Sequence, residues 1–445
     1  MVSKTKGAES KEIKAPVPDV PEKNEFSGNG NEIDCPDGNG KKRFRLSSTT
    51  SILKKSVTLE IAAKAKQMNQ RGLNVISFSA GEPDFETPKS IKDAGKRAIE
   101  AGHTKYTDSS GISELKCAIR QKFMRENNLH YDEGNIVVTS GAKYSIFAIL
   151  CSIISPGDEV IVPVPYWVSY PSLVKLSGGV PVYVYPDEEF SFRLTLDDIK
   201  KVLTNRTKAV IINSPNNPTG AVYTLKDLEE IVNYLAEKNI IVISDEIYEK
   251  VIYDNVQHIS LASVVKEKYK KNVVVVNGVS KAYAMTGWRI GYTAGPRDII
   301  ERMKFFTDHT TSNPNTIAMY AAVEALNGSQ NDVERMVKRF NRRRQFMYDE
   351  LTNIPNLKCC YPEGAFYIFA NFKHFLNSTI HETHIETTVD LANYLLDEAH
   401  VAVVPGESFG LPGYIRLSYA TSMDNIAEGI DNLKYALSEM ELDEK

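Results

Sequence analysis

The sequence between 273 and 292 places a lysine and an arginine just beyond the end of a predicted strand. The apolar run 273–276 is typical of a buried strand, and Lys281 follows it after a short polar turn. In open α/β sheets, ligands bind where strands end and loops begin. A lysine at such a place can act as an amine nucleophile when burial or a positive neighbour lowers its pKa. Arg289, eight residues further on, could bind a phosphate group through its planar guanidinium.

An amine and a phosphate-binding group so close in sequence suggest a cofactor that is both an aldehyde and a phosphate ester, such as pyridoxal phosphate. The alternative is that Lys281 and Arg289 are an ordinary surface lysine and a solvated arginine. This stretch taken alone does not separate the two interpretations, so the other predicted strand ends have to be considered.

Two further turns carry residues that suit a flat, phosphorylated ligand. Gly141 and Ala142 lie between a predicted strand and a predicted helix, where backbone N–H groups form an anion site and glycine permits close approach. Trp167 follows another strand and could stack on a planar ring. Each has a simpler explanation, namely an ordinary capped helix start for the glycine turn and core or interface packing for the tryptophan.

Polar residues at two more strand ends could contact the ring itself. Asp245 ends an apolar strand, and a carboxylate is costly to bury unpaired. A pyridinium N–H would be its natural partner, because a protonated pyridine nitrogen makes the ring an electron sink; the alternative is a helix N-cap aspartate. Asn217, in the turn 213–220, could donate to a ring oxygen, although such a turn needs no function. Tyr248 could hydrogen-bond the ring's phenolic oxygen.

An arginine also interrupts an apolar strand near the C-terminus. Arg416 lies within 413–419, and its neighbours are mostly apolar. A buried arginine usually has a carboxylate partner, so a structural ion pair is one interpretation. The functional interpretation is a guanidinium that binds a substrate carboxylate through two parallel hydrogen bonds.

The elements that must position these residues alternate along the chain. Predicted strands lie at 75–78, 136–139, 159–162, 180–185, 209–213, 240–244 and 273–276, and predicted helices at 56–71, 89–101, 112–127, 142–154 and 225–238. Such alternation predicts a mostly parallel sheet with helices on both faces. A helical block follows (298–324 and 330–352). Strands near 366–369 and 415–418 and helices at 388–399 and 424–440 predict a second, smaller α+β domain.

Composition excludes several classes of protein. A chain of 445 residues with 42% hydrophobic and 25% charged residues suits a soluble two-domain protein. The net charge of −4 gives no reason to expect nucleic acid or an anionic membrane as a partner. Five scattered cysteines without a Cys-x-x-Cys pair argue against a disulfide framework and a zinc site. We therefore expect no metal.

The first 45 residues are polar and broken by prolines and glycines, which predicts disorder. The chain has no secretory signal pattern, and the acidic residues near its start speak against a transit peptide. We expect a cytoplasmic protein, with organelle import through the N-terminal extension left open. The longest apolar run, 146–154, is too short to span a bilayer.

Taken together, the motifs resemble the class I pyridoxal-phosphate aminotransferases, and within them the aspartate and aspartate/prephenate branch. The resemblance covers about residues 50–440, with all motifs in the expected order. They are the segments 79–85, 105–107, 165–171, 214–220, 244–249, 280–281 with 287–292, 364–367 and 415–420. The resemblance implies fold type I, with a mostly parallel seven-stranded sheet between helices and a smaller α+β domain. The implied domains are a disordered extension (1–50), an N-terminal arm with part of the small domain (51–95), the large cofactor-binding domain (96–325) and the C-terminal small domain (326–445).

The resemblance also implies pyridoxal 5'-phosphate as the cofactor and assigns residues to it. Lys281 would hold it as a Schiff base and shuttle a proton, and Asp245 would pair with the pyridine nitrogen. The remaining cofactor contacts would be Asn217 and Tyr248 at the phenolic oxygen, Trp167 stacked near the ring, and Arg289 with the amides of Gly141 and Ala142 at the phosphate.

Further residues are assigned by resemblance to the substrate and to a second subunit. Arg416 would hold the substrate α-carboxylate, and the Gly81 backbone would line the same pocket with Trp167 and Asn217. Lys143 and Thr58 match residues that recognise the distal carboxylate of an acidic substrate. Tyr106 matches a tyrosine that reaches the neighbouring subunit's phosphate, which implies a homodimer with shared sites.

The implied activity is transamination between aspartate or glutamate and a 2-oxo acid, 2-oxoglutarate or oxaloacetate, with ping-pong kinetics. Alternatives are an aromatic, kynurenine or alanine aminotransferase, a bifunctional aspartate/prephenate aminotransferase, or a synthase or lyase on the same fold. A ligand-sensing DNA-binding regulator would need a helix-turn-helix with a basic face, which residues 1–45 do not offer.

Overall fold

The computed structural model describes residues 47–53, 57–380 and 383–442. The predicted disordered segment 1–45 lies outside these residues. The chain divides into two compact units, 1–51 and 52–445. Of the first unit, the described part holds the short helix α1 (Ser48–Ser51). The second unit holds all the other elements.

The helices after α1 are α2 (Val57–Gln70), α3 (Lys89–Glu100), α4 (Ser113–Asn127), α5 (Ala142–Ile153), α6 (Tyr170–Leu176), α7 (Leu196–Val202), α8 (Leu225–Glu237), α9 (Leu261–Val264), α10 (Arg297–Asp308), α11 (Thr316–Asn327), α12 (Asn331–Thr352), α13 (Thr388–Asp397) and α14 (Met423–Ser438). The strands are β1 (Ile76–Ser77), β2 (Ile136–Thr139), β3 (Glu159–Pro163), β4 (Val180–Val184), β5 (Thr207–Asn213), β6 (Ile241–Asp245), β7 (Val273–Gly278), β8 (Gly291–Ala294), β9 (Lys358–Cys359), β10 (Tyr367–Asn371), β11 (Ser378–Ile380), β12 (Thr383–Ile385), β13 (Val401–Ala402), β14 (Val404–Pro405), β15 (Tyr414–Ser418) and β16 (Glu441–Leu442).

The largest sheet has seven strands in the order β2-β8-β7-β6-β5-β3-β4. All neighbouring pairs are parallel except those of β8, which runs antiparallel to both β2 and β7. The predicted mostly parallel sheet is therefore confirmed. The sequence analysis did not predict β8, which has four residues and begins with a glycine.

Side chains of this sheet alternate between two cores, because successive residues of a strand point to opposite faces. Val273 and Val275 of β7 pack in the core formed with α4, α8 and α11. Val274 and Val276 pack in the core formed with α5, α6 and α10. Burial on both faces explains why the central strands are continuous apolar runs in the sequence.

A third core belongs to the C-terminal part of the chain. The sheet β14-β15-β10-β9 is antiparallel, and it packs with α12, α13 and α14. Phe78, which follows β1, joins this core, and β1 pairs with β13. This arrangement agrees with the predicted smaller α+β domain. The domain limits at 95/96 and 325/326 stay predictions.

The helices differ from the predicted ones in two ways. The predicted block 298–324 is two helices, α10 and α11, and the segment between them contains Pro314, which cannot continue a helix. The short helices α1, α6, α7 and α9 were not predicted. Within the described residues, the structure holds no helix with the length and apolar character needed to cross a bilayer.

Candidate active site

Three neighbouring parallel strands end together at one edge of the large sheet. Asn213, the last residue of β5, is paired with Asp245, the last residue of β6, and Asp245 is paired with Val276 of β7. The loops that follow these strands therefore begin side by side. They carry Asn217, Tyr248 and Lys281, so the sheet itself brings these predicted residues to one edge.

Lys281 is partly buried, and its ammonium donates a hydrogen bond to the carbonyl oxygen of Gly81. Its Nζ lies 5.8 Å from the ring centroid of Tyr248 and 5.9 Å from that of Phe366. Burial lowers the pKa of Lys281 from 10.5 to about 8. Arg416 and Arg289 lower it further, whereas Glu82 and Asp245 oppose the change. About a tenth of this amine is therefore neutral, and nucleophilic, at pH 7, far more than for a lysine of ordinary pKa.

Asp245 is a buried carboxylate, only 4% exposed. Its Oδ2 accepts a hydrogen bond of 2.7 Å from the Tyr170 hydroxyl, and its Oδ1 accepts one of 3.3 Å from the Ile247 N–H. Burial raises the pKa of Asp245 to about 6, and these hydrogen bonds partly oppose the rise. No basic side chain of the described residues forms an ion pair with it, and the next α-helix begins only at Leu261. The helix N-cap interpretation is therefore wrong, and a carboxylate buried without an ion-pair partner among the described residues is suited to bind a cationic ligand.

Arg416 crosses from β15 to the loop after β5. It is 3% exposed, and it donates to Asn217 Oδ1 at 3.1 Å and to the Ser79 carbonyl at 3.0 Å. Among the described residues, its Nε has no hydrogen-bond partner and no carboxylate forms an ion pair with it. The structural ion-pair interpretation is therefore not supported. Burial lowers the pKa of Arg416, and this buried, unneutralised guanidinium is suited to bind a carboxylate.

Arg289 lies against the start of α5, and together they are suited to bind a second anion. Gly141 precedes α5 with φ +93°, a backbone conformation that L side chains rarely adopt. A Cβ atom on Gly141 would lie 2.2 Å from Arg289 Nη2, so only glycine allows the guanidinium this close to the helix start. Arg289 is itself held by the carbonyl of Thr286 at 2.8 Å. A guanidinium beside the N–H groups of a helix N-terminus suits a phosphate group.

Trp167 and Lys143 lie together beside this anion site. Lys143, in the first turn of α5, places its Nζ 5.0 Å from the Trp167 ring centroid. Burial and the nearby Arg289 lower the pKa of Lys143. Lys143 forms no ion pair among the described residues, so its charge is available to an anionic ligand.

Two predicted residues are not brought to this group. Tyr106 lies in the loop between α3 and α4 and is 91% exposed. Thr58 lies on α2, and its buried hydroxyl oxygen has no hydrogen-bond partner among the described residues. No hydrogen bond, ion pair or ring contact of the described residues joins either of them to the other predicted site residues.

Comparisons with known proteins identify the family. The family model for aminotransferases of class I and II matches residues 74–433. The chain is 47% identical to an aspartate aminotransferase of Bacillus sp. (strain YM-2) over 388 residues, 87% of this chain and 98% of the relative. It is 46% identical over 400 residues to a probable aspartate/prephenate aminotransferase of Aquifex aeolicus, covering 89% of this chain and 100% of the relative. The crystal structure of the aspartate aminotransferase from Rhizobium meliloti is similar, with a TM-score of 0.86 and 41% identity over 90% of this chain and 100% of that chain.

The chain belongs to the class I and II aminotransferases. Class I aminotransferases use pyridoxal phosphate, and this aminotransferase is a pyridoxal-phosphate-dependent enzyme. The predicted family, fold class and cofactor are thus confirmed.

The residues of this aminotransferase fit that cofactor. The N–H groups at the start of α5, together with the Arg289 guanidinium that Gly141 allows close to them, suit a phosphate group. A protonated ring nitrogen would supply a cation beside the buried Asp245 carboxylate. An aldehyde suits the amine of Lys281, whose pKa burial lowers to about 8. The aldehyde, the ring nitrogen and the phosphate of the cofactor therefore each have a complementary group among the residues described above.

Sequence reasoning assigned no role to three residues that contact the predicted ones. Tyr170 donates to Asp245, Tyr367 shares a hydrogen bond of 2.9 Å with the Tyr248 hydroxyl, and the Ser79 carbonyl accepts from Arg416. All three lie inside motifs that carried the resemblance. Their motif membership was the available signal, but only the folded chain shows which side chain each one touches.

Proposed function

We propose that this aminotransferase transfers the amino group of aspartate or glutamate to 2-oxoglutarate or oxaloacetate. The supporting observation is a pair of cations, Arg416 and Lys143, that have no carboxylate partner among the described residues. An amino acid with two carboxylates can occupy both. Relatives named aspartate aminotransferase, 47% and 41% identical, also support this choice.

The proposed roles follow from the chemistry of each side chain. The cofactor, when bound, supplies an aldehyde carbon for amine exchange and an electron-withdrawing ring. Lys281 would hold that carbon through its amine and, once the substrate amine has taken its place, would take the α-proton as a base. Asp245 would keep the ring nitrogen protonated, and Asn217 and Tyr248 would hydrogen-bond the phenolic oxygen.

The remaining assignments concern the two ends of the ligands. Arg289 and the amides of Gly141 and Ala142 would bind the phosphate, and Trp167 would lie near the ring. Arg416 binds the substrate α-carboxylate beside the Gly81 backbone. Lys143 binds the distal carboxylate. Thr58 is assigned to the same carboxylate, and its unpaired hydroxyl oxygen is free to accept a partner there.

We also propose a homodimer with shared sites in the cytoplasm. Tyr106 and Phe305 are 91% and 55% exposed, and large aromatic side chains at a surface favour an interface. In such a dimer Tyr106 would serve the phosphate of the other subunit. This would explain why a residue of the cofactor set lies away from its own chain's cleft.

Prephenate is a second candidate acceptor. The Aquifex aeolicus relative, 46% identical, is named a probable aspartate/prephenate aminotransferase. Prephenate also carries two carboxylates, so Arg416 and Lys143 could serve it as well. Measuring transamination of prephenate with aspartate as the donor would show whether the enzyme accepts prephenate in addition to 2-oxoglutarate and oxaloacetate.

The decisive experiment is an absorbance titration of the holoenzyme with single amino acids. Aspartate or glutamate should remove the absorbance band of the lysine-bound cofactor at low concentrations, whereas alanine and phenylalanine should require far higher ones. An enzyme that responds to alanine or an aromatic amino acid, and ignores aspartate and glutamate, would overturn the proposal. A Lys281→Ala variant serves as the reference without the band.

A further inference from the structure

Tyr170 touches two residues of the proposed cofactor site at once. Its hydroxyl donates to Asp245 Oδ2 at 2.7 Å. Its ring packs edge to face against Trp167, with centroids 5.3 Å apart at 81°, and its N–H donates to the Trp167 carbonyl at 2.9 Å. The side chain is 3% exposed and lies in the first turn of α6, packed in the core beneath the sheet edge.

We propose that Tyr170 is a positioning residue of the transamination reaction, which fixes the Asp245 carboxylate and the Trp167 ring relative to one another. The inference rests on the proposed function, in which Asp245 meets the ring nitrogen and Trp167 covers the ring. Tyr170 itself touches neither cofactor nor substrate. It acts by holding the two groups that do.

The direction of the hydrogen bond gives Tyr170 an electrostatic effect as well. A phenol that donates to a carboxylate stabilises its charged form. Burial works against that form, and the acidic side chain of Glu246 adds to the burial effect. The positive charge of Lys281 favours the charged form, and Tyr248 is the other ionisable neighbour of Tyr170. The phenol thus helps Asp245 to stay ionised, as a partner for a protonated ring nitrogen must.

The alternative is a purely structural hydroxyl, which satisfies a buried carboxylate and does nothing for the reaction. Tyr223 offers a matched control, because it is also buried and its hydroxyl accepts a hydrogen bond of 2.9 Å from the Leu194 N–H. Removing either hydroxyl costs one buried hydrogen bond. Only the Tyr170 hydroxyl is bonded to Asp245.

The test compares holoenzymes of the wild type and of the Tyr170→Phe, Tyr223→Phe, Asp245→Asn and Tyr170→Phe/Asp245→Asn variants. The measurements are kcat and KM for aspartate from pH 5 to 9, and the affinity of each resolved apoenzyme for pyridoxal phosphate over the same range. Tyr170→Phe should lower kcat about ten-fold, the effect of one hydrogen bond to a charged group. The acid limb of its kcat–pH profile should move to higher pH, while its KM for aspartate should change little. Its affinity for pyridoxal phosphate should fall more at low pH than at high pH. Tyr223→Phe should keep the wild-type profiles.

The double variant separates the ways in which the ideas can fail. If Tyr170 acts through Asp245, adding Tyr170→Phe to Asp245→Asn should lower kcat little further. The inference is overturned if Asp245→Asn is inactive but Tyr170→Phe has the same kcat and pH profile as Tyr223→Phe. If Asp245→Asn keeps the wild-type kcat, the site assignment itself fails. Should Tyr170→Phe fold poorly, a fluorinated tyrosine at position 170, a stronger donor, should move the acid limb to lower pH, and an unmoved limb would contradict the inference.

Discussion

The guanidinium of Arg343 forms two hydrogen bonds with the carboxylate of Asp84, each 2.8 Å long. This ion pair joins α12 to the segment 79–85, whose backbone carbonyls at Ser79 and Gly81 accept from Arg416 and Lys281. The same guanidinium lies 5.1 Å from the ring centroid of Phe85. The segment 79–85, which accepts hydrogen bonds from Arg416 and Lys281, is thus itself fixed by Arg343, a residue outside the site.

Replacing Arg343 by Lys should therefore affect substrate binding without touching the substrate. Lysine keeps the charge but cannot form the two parallel hydrogen bonds, so the segment 79–85 should become looser. We expect a loss of about 1–2 kcal/mol in the free energy of unfolding and a several-fold higher KM for aspartate. Arg335→Lys is the control, because Arg335 forms an exposed ion pair with Asp332 on the same helix. Equal KM values for the two variants would contradict this role of Arg343.

Gly141→Ala should weaken binding of pyridoxal phosphate strongly. The added methyl group would lie 2.2 Å from Arg289 Nη2 and 2.8 Å from its Cζ, so the guanidinium would have to leave the start of α5. We expect at least a hundred-fold weaker cofactor binding, equivalent to about 3 kcal/mol, measured by titrating the apoenzyme. Gly157→Ala is matched, because Gly157 has φ +89° and no atom within 4 Å of the added Cβ. The Gly157→Ala variant should carry the same backbone strain and keep the wild-type affinity for pyridoxal phosphate.

Asp245→Asn should stabilise the cofactor-free enzyme although it should inactivate the holoenzyme. The pKa of Asp245 rises from 3.8 to about 6 on folding, so the folded state binds more protons than the unfolded state between these values, and stability falls as pH rises through them. Above pH 6 the Asp245→Asn variant, which is uncharged at this position, should be more stable than the wild type by about 1–3 kcal/mol. Below pH 4 the difference should vanish. Thermal unfolding of both apoenzymes at several pH values measures this, and a constant difference would contradict it.

Lys143→Met should shift the donor preference away from acidic amino acids. Losing one charged contact to the distal carboxylate should lower kcat/KM for aspartate about 10- to 100-fold, with a much smaller effect on alanine, which has no such group. Lys175→Met, at an exposed position of α6, provides the control for loss of a positive charge. If kcat/KM falls by the same factor for aspartate and for alanine, Lys143 serves the cofactor region in general and not the distal carboxylate.

The strand ends of the site were predictable from the sequence because two signals coincide there. Apolar runs such as 273–276 are continuous when both faces of a strand are buried, and the turn residues behind them mark where the strand stops. Asp245 and Lys281 therefore stood out as charges in places where burial is costly. These residues suggested a cofactor, but a surface lysine and a helix N-cap aspartate remained open as simpler interpretations, and the resemblance to the family decided between them.

Other parts of the site depend on contacts that no local pattern records. Tyr170 begins a helix of seven residues, which is too short for a clear apolar period. Strand β8 has four residues, and in the loop before it Ala284 and Arg289 have positive φ. Only the fold shows that no carboxylate of the described residues pairs with Arg416. Its neighbours in sequence are apolar whether or not it has such a partner, so they give no signal. The break at Pro314 could have been predicted, because proline interrupts helices.

The reversed direction of β8 has a consequence for how far this site can vary by insertion and deletion. Gly278 at the end of β7 lies opposite Gly291 at the start of β8, so the chain leaves the sheet and re-enters it at the same rim. One excursion of twelve residues, 279–290, carries both the amine of Lys281 and the guanidinium of Arg289, which we propose as a phosphate ligand. Adding or removing a residue between Lys281 and Arg289 would change the spacing of two ligand contacts at once, whereas loops elsewhere on the molecule can lengthen independently of the chemistry.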